Sequence, residues 1–429
     1  MGNDRIVYIR TDGNSHIASG HLVRCISVAL ACCSLGIDVC FLVSDGESFC
    51  LLKELLDAQA DSGNHPAIFP DTNGNAGRNT ASLPGNITAL RLKTAQYDNL
   101  EKELPEVISL LTASLYHSVF EYGAHDIYVT NIVDNANYIN AANVTDILFA
   151  EKYEHIIYFI DSYFVTRQYL SALSPFVKTA YIDDLRAFDY SVNLIINYDV
   201  ILPGDMATYQ NAYRNAEHML LGASYTPLRS QFLHKQIGIK EQLTDVLITT
   251  GGSDPFHFCL NFLAYLRSRL TSEINPLHDI QTRGNIPAVI FHIVIGKLNA
   301  DREKLWQAAR NLPCLELHEN VSDMASLMGK CDIAVSAAGT TLYELCALGV
   351  PSISFTMADN QLTAAKAFDA AGAIPCAGDI RSDRETVLEA VFHFIGKCSF
   401  QERKTAHETM HSLIDGKGSL RIAHALERV

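Results

Sequence analysis

Ile6-Val7-Tyr8-Ile9 is an unbroken apolar run that stops at Arg10-Thr11-Asp12, and apolar positions return at Leu22, Val23, Ile26, Val28, Ala29, Leu30 and Cys33. The first pattern predicts a buried strand and the second a helix packed along one stripe. Gly13, Asn14, Ser15, Ser19 and Gly20 lie between them as turn and helix-start residues. Val39 to Val43 reads as a second strand ending in Ser44-Asp45-Gly46, followed by a helix from about Ser48 to Asp61. Ser62 to Gly85, rich in Gly, Asn, Pro, Thr and Asp, reads as a loop, and Tyr97 to Thr112 as a helix. Ser114 to Tyr153 reads as an insertion holding a strand, Asp126 to Ile132, and a helix.

The pattern then becomes regular, with strands at Ile156 to Ile160, Thr179 to Ile182 and Leu194 to Asn197. A polar stretch from Tyr225 to Lys240 separates these from a second series. That series has strands at Val246 to Thr249, Val289 to Ile295, Ile333 to Val335 and Ser352 to Phe355, with a helix from Phe258. Strands alternating with helices predict two doubly wound, parallel-sheet α/β domains. We place them at residues 1–228, with an insertion at about 114–153, and at residues 241–429.

Composition narrows the possible partners. A chain of 429 residues with 48% apolar and 19% charged residues can bury more than one core. Its net charge of −15 disfavours a nucleic-acid backbone or an anionic membrane surface, yet leaves room for a small phosphorylated ligand in a local positive pocket. Eleven cysteines without a C-x-x-C, no apolar run of spanning length and no signal peptide lead to the expectation of a reduced, cytoplasmic protein without membrane insertion. The oligomeric state is left open.

Candidate chemistry gathers at the expected carboxyl ends of the strands, where doubly wound sheets bind ligands. His21 and Arg24 fall in the first turn of the first helix. Free N–H groups and the positive end of the helix dipole there suit anions and favour an uncharged imidazole able to take a proton. Arg24 is expected to hold a phosphate. Asp12, Asp161, Tyr163 and Asp183 also fall at strand ends; Asp161 reads equally well as a cap, and Asp184 reads as a turn residue. In the second half, Gly251-Gly252-Ser253-Asp254 and Ser336-Ala337-Ala338-Gly339-Thr340-Thr341 follow strands. Small residues in the latter let amides approach a diphosphate. Thr341 with Glu344 also fits a capping box, and Asp359-Asn360-Gln361 fits a helix cap. His407-Glu408-Thr409-Met410-His411 fits the zinc-protease H-E-x-x-H pattern, but its polar surroundings read as a solvated helix. No metal or cofactor is expected in the chemistry.

Together, Arg10-x-Asp12, Gly20-His21-x-x-Arg24-Cys25, Asp161-Ser162-Tyr163, Ile182-Asp183-Asp184, Gly251 to Asp254, Ser336 to Gly339 with Leu342-Tyr343-Glu344, and Asn360-Gln361 carry a resemblance. The chain resembles the nucleotide-sugar hydrolases of pseudaminic-acid biosynthesis and their spore-coat polysaccharide relatives, within the GT-B glycosyltransferase superfamily. The resemblance implies a GT-B-like fold, two domains facing across a cleft, and a UDP-activated amino-deoxy sugar as substrate. It implies His21 as the base on water, with Tyr163 and Asp12 beside it and Arg10, Gly20, Arg24, Asp161 and Asp183 on the sugar side. The nucleotide falls to Gly251, Gly252, Ser253, Asp254, Ser336, Ala338, Gly339, Thr340, Thr341, Glu344, Asn360 and Gln361. A glycosyltransferase with the same donor pocket and a non-catalytic nucleotide-sugar-binding paralogue are the alternatives. The region from about Ser114 to Tyr153 exceeds the family's usual connection.

Overall fold

A computed structural model of the protein describes residues 5–17, 19–61, 87–111, 156–233, 237–271, 289–310 and 312–429. The expected loop at Ser62 to Gly85 and the insertion at Ser114 to Tyr153 lie outside the described residues. Among the described residues, thirteen strands form two all-parallel sheets. The first comprises β1 (Ile6–Thr11), β2 (Asp38–Val43), β3 (Ile87–Arg91), β4 (Ile156–Asp161), β5 (Lys178–Ile182), β6 (Leu194–Asn197) and β7 (His218–Leu221). Its spatial order is β3-β2-β1-β4-β5-β6-β7. The second comprises β8 (Asp245–Thr249), β9 (Ile290–Ile295), β10 (Leu315–Glu319), β11 (Ile333–Ala337), β12 (Ser352–Thr356) and β13 (Cys376–Asp379), in the order β10-β9-β8-β11-β12-β13.

Parallel strands covered on both faces must be apolar throughout, and the central strands obey this. Val7 and Ile9 of β1 face one side, Tyr8 the other, and all are buried. The strand order reverses between β1 and β4 in the first sheet and between β8 and β11 in the second. The register there sets Thr11 beside Asp161 and Ser336 beside Thr249. At such a point the connections leave toward opposite faces and open a crevice at the carboxyl ends. Each sheet therefore offers one such crevice.

The two halves share an apolar core. Cys25, Val28 and Ala29 of the first helix (Gly20–Ser34) belong to the same buried cluster as Leu342 and Leu345 of the helix Thr341–Leu348. The last helix, Gly418–Leu426, packs against the first helix and adds Ile422, Ala423 and Leu426 to that cluster. Gly418 lets the start of this last helix lie against the segment at Thr226, because a Cβ there would run into the Thr226 carbonyl oxygen. Gly296 plays a similar part beyond β9, where a Cβ would collide with the carbonyl oxygens of Gly251 and Gly252.

Candidate active site

The loop after β1 is held from below. Asn14 accepts the N–H groups of His16 and Ile17 and donates to Asp45, while Gly13 donates to Ser48 Oγ and Ser15 to Glu47. This fixes the start of the first helix, whose N-cap Ser19 makes no side-chain cap bond. His21, 4% exposed, follows at once.

His21 Nδ1 lies 2.6 Å from Asp161 Oδ1 at the end of β4. A carboxylate only accepts, so Nδ1–H donates, and in the neutral ring Nε2 keeps its lone pair. Arg24 donates Nε and Nη2 to the two oxygens of Asp161, each at 2.6 Å. Its Nη2 sits 3.1 Å from His21 Nδ1 because both donors share one oxygen. Burial raises the cost of charge on Asp161, but Arg24 and His21 outweigh it and hold the carboxyl well below the usual carboxylate range. The ring of Tyr163, 44% exposed, meets the His21 ring edge-on at 4.4 Å. Burial and the neighbouring Asp184 carboxylate push the Tyr163 phenol up.

Several expected site residues have other occupations. Arg24 spends its remaining donor on Asp184, at 2.8 Å, and on Tyr198 Oη, so none of its nitrogens is held for a phosphate. Arg10 is fully buried and bound to Glu103 and Asp12, and Asp12 also accepts the Ser44 N–H. Asp161, and not Asp12, therefore orients the His21 ring. Asp183 is fully buried and accepts from Leu185, Arg186, Tyr190 and Tyr213, which makes it the anchor of the turn after β5. Asp184, read as the turn residue, is the member of the pair that reaches Arg24. Gly20 opens the helix with nothing near its Cβ position.

In the second sheet, β11 runs into the turn before the helix Thr341–Leu348. Ser336 and Ala338 are buried, and the Ser336 hydroxyl donates back to the Ala337 carbonyl. Thr340 is exposed, with Gly339, Thr341 and Glu344 partly so. The capping box is not formed: Thr340 is the N-cap and makes no side-chain bond, while Glu344 takes two donors from Arg229, at 2.6 and 3.1 Å. The amides of this helix start thus have no side-chain cap. Gly251 adopts φ +81° beside the exposed Gly252 and half-buried Ser253, but Asp254 is buried and caps the helix Phe258–Thr271 through the N–H groups of Phe258 and Cys259. Gln361 accepts the Met357 N–H and Asn360 is exposed.

One chain of contacts joins the two crevices. Arg24 binds Tyr198, whose ring meets Tyr343 edge-on at 5.6 Å, two residues into the helix that starts at Thr341. The sequence reading does not single out Tyr198 or Asp184 as site residues, although Tyr198 directly follows β6 and Asp184 is the second residue after β5. Near Tyr163, His16 stacks on Tyr97 at 5.5 Å and Tyr97 meets Phe164 edge-on at 5.8 Å, an aromatic group on three separate loops. The H-E-x-x-H segment is occupied otherwise: His407 Nδ1–H donates to the Gly349 carbonyl at 2.7 Å, against the end of a helix. Among the described residues, no helix is long and apolar enough to cross a membrane.

Residues 246–416 match the glycosyltransferase family 28 C-terminal domain. The spore coat polysaccharide biosynthesis protein SpsG of Bacillus subtilis is 25% identical over 217 residues, which is 50% of this chain and 58% of that protein. A pseudaminic acid cytidylyltransferase and UDP-2,4-diacetamido-2,4,6-trideoxy-beta-L-altropyranose hydrolase of Helicobacter pylori is 27% identical over 168 residues, 38% of this chain and 27% of that protein. The chain thus spans under two thirds of the length of either relative. Among solved structures, MurG of Acinetobacter baumannii superposes with a TM-score of 0.56 at 12% identity, covering 99% of this chain and 100% of that one. UGT89C1 of Arabidopsis thaliana, complexed with quercetin, gives 0.57 at 11% identity and 99% of both chains. With two parallel α/β sheets aligned over almost its whole length to such structures, the chain has the two-domain GT-B fold of glycosyltransferases, and its second half is similar to the family 28 C-terminal domain.

Proposed function

We propose that the protein hydrolyses a nucleotide-activated amino-deoxy sugar, with UDP as the nucleotide, in the biosynthesis of a surface or spore-coat polysaccharide. The carrying observation is the Asp161–His21 pair, which commits Nδ1 and leaves Nε2 as an acceptor at the switch point of the first sheet. In this reading residues 1–228 hold the sugar and residues 241–429 the nucleotide. Water gives a proton to His21 Nε2 as its oxygen attacks the anomeric carbon. The bond from that carbon to the diphosphate oxygen breaks, and free sugar leaves with inversion. Such proton transfer is typically worth ~10²–10⁴ in rate. The Thr340 and Thr341 amides at the start of the helix Thr341–Leu348, with the positive end of the helix dipole, stabilise charge on the departing diphosphate. The matches to SpsG and to the bifunctional hydrolase support this assignment.

Transfer to an acceptor hydroxyl is the second reading, supported by the family 28 match and the fold. Incubation with UDP-sugars alone separates the two, because release of UDP without acceptor requires water as nucleophile. His21→Asn keeps the size and polarity of the ring but removes the base. We expect kcat to fall by ~10²–10⁴ with nucleotide affinity near wild type. A variant with near-normal kcat sinks the role of His21.

A further inference from the structure

His292, in the middle of β9, is fully buried, and the register places Glu316 of β10 opposite it with His318 two residues further on. Three ligand-type atoms converge there. His292 Nδ1 lies 3.0 Å from His318 Nε2 and 3.2 Å from Glu316 Oε2, and the latter two are 3.9 Å apart. On its other side, His292 Nε2 lies 2.9 Å from Asp245 Oδ1 at the start of β8. Nε2–H therefore donates to Asp245, and in the neutral ring Nδ1 presents a lone pair to the other two groups. A proton on His318 Nε2 can satisfy only one of its two acceptor neighbours, so an acceptor remains facing an acceptor.

We propose that His292 Nδ1, His318 Nε2 and Glu316 Oε2 form a binding site for a divalent cation of the zinc class. The point equidistant from the three atoms lies about 2 Å from each, the length of zinc bonds to imidazole nitrogen and carboxylate oxygen. Two imidazoles and a carboxylate form a donor set of borderline softness that suits zinc. Asp245 supplies the outer hydrogen bond that fixes the tautomer of a ligating histidine. Lys330 Nζ, 3.7 Å from Glu316 and 3.9 Å from Asp245, and Lys240, 3.4 Å from Asp245, are the cations that the ion displaces or joins. Both lysines are about half exposed, and Lys240 is also held by the Lys330 carbonyl and Asp332, so it can leave Asp245 without losing its other partners. Since β10 is an edge strand of the second sheet, the ion cross-links that edge to β9 and takes no part in the sugar chemistry.

The test uses the full chain, treated with a chelator, dialysed and titrated with zinc in calorimetry and thermal melts. Wild type should bind an equivalent of zinc with a raised melting midpoint. His318→Asn and Glu316→Gln, both on partly exposed side chains, should each remove that equivalent while keeping the metal-free melt. Asp245→Asn should weaken affinity by ~10–100-fold. The double variant His407→Asn/His411→Asn should leave the equivalent in place, which excludes the H-E-x-x-H helix as its source. Absence of zinc binding by wild type would show that a proton on His292 satisfies the cluster instead, and overturns the proposal. Undiminished binding by His318→Asn and Glu316→Gln overturns it equally.

Discussion

Replacing Asp161 by asparagine is the most informative single change, because it preserves shape while reversing one contact. In the wild type the carboxylate accepts from His21 Nδ1 and Arg24 Nη2 at one oxygen and from Arg24 Nε at the other. A carboxamide in its place carries one acceptor and one NH2 donor. If the NH2 group faces His21, it donates to Nδ1 and forces the proton onto Nε2, the wrong tautomer for a base. If it faces Arg24 Nε, two donors confront each other in a buried site. Either way Arg24 loses part of its partner, although Asp184 and Tyr198 remain. Breaking a buried ion pair costs about 3–5 kcal/mol, and the surviving partners place this case near the lower figure. The proton-transfer contribution at stake is ~10²–10⁴ in kcat. UDP release without acceptor, measured below the melting range, and urea unfolding read the two effects separately. In the double variant with His21→Asn, the rate should match His21→Asn alone, since groups acting as a unit are not additive. A folded Asp161→Asn protein turning over within a few-fold of wild type would refute the pairing.

Three further outcomes follow from particular contacts. Glu344→Ala should weaken UDP binding in calorimetry while costing about 1 kcal/mol or less in urea unfolding, as expected for a partly exposed pair with Arg229; unchanged affinity would reduce Glu344 to the partner of that arginine. Because the folded Asp161 carboxyl is held low, its stabilisation is full above the unfolded value of about 3.9 and is lost as pH falls toward the folded one. The stability gap between wild type and Asp161→Asn in a pH series of urea melts should therefore narrow below about pH 4, and a gap that widens there contradicts the assignment. Gly418→Ala drives a methyl into the Thr226 backbone and should cost about 1–3 kcal/mol in denaturant unfolding, with a neutral result showing that this contact is loose.

The central strands were legible in the sequence and the edges were not. β3, β7, β10 and β13, none of them read from the apolar pattern, are the four edge strands of the two sheets. An edge strand has a neighbour on one side only, and a segment such as Leu315–Glu319 (LELHE) alternates apolar with polar residues and lacks the continuous apolar run of a central strand such as Ile156–Asp161 (IIYFID). Site residues followed a similar division. The position of His21 came from a local pattern of strand, turn and helix. Its partner Asp161 is 140 residues away, and the partner of Glu344 is Arg229, 115 residues back, beyond any spacing rule. A local capping box was the natural reading of Thr341 and Glu344 until the distant arginine was placed. Asp183 and Asp184 show the finest limit. Adjacent side chains after a strand leave in different directions, and the Tyr190 and Tyr213 hydroxyls, not the sequence, determine which carboxylate turns inward.

The commitment of Arg24 sets a direction for any ligand that spans the two crevices. Set against Asp161 and Asp184, its single guanidinium leaves that group of three with one surplus negative charge. A diphosphate is repelled from that end, whereas a neutral pyranose ring meets no such penalty. The helix start at Thr340, without a side-chain cap and with the Arg229-paired Glu344 as the carboxylate of its first turn, presents the opposite polarity. On the proposed reading, a nucleotide-sugar therefore enters with its head and tail already distinguished by sign. The same gradient pulls a departing anion away from the imidazole, so that orientation on arrival and separation after bond cleavage share one electrostatic origin.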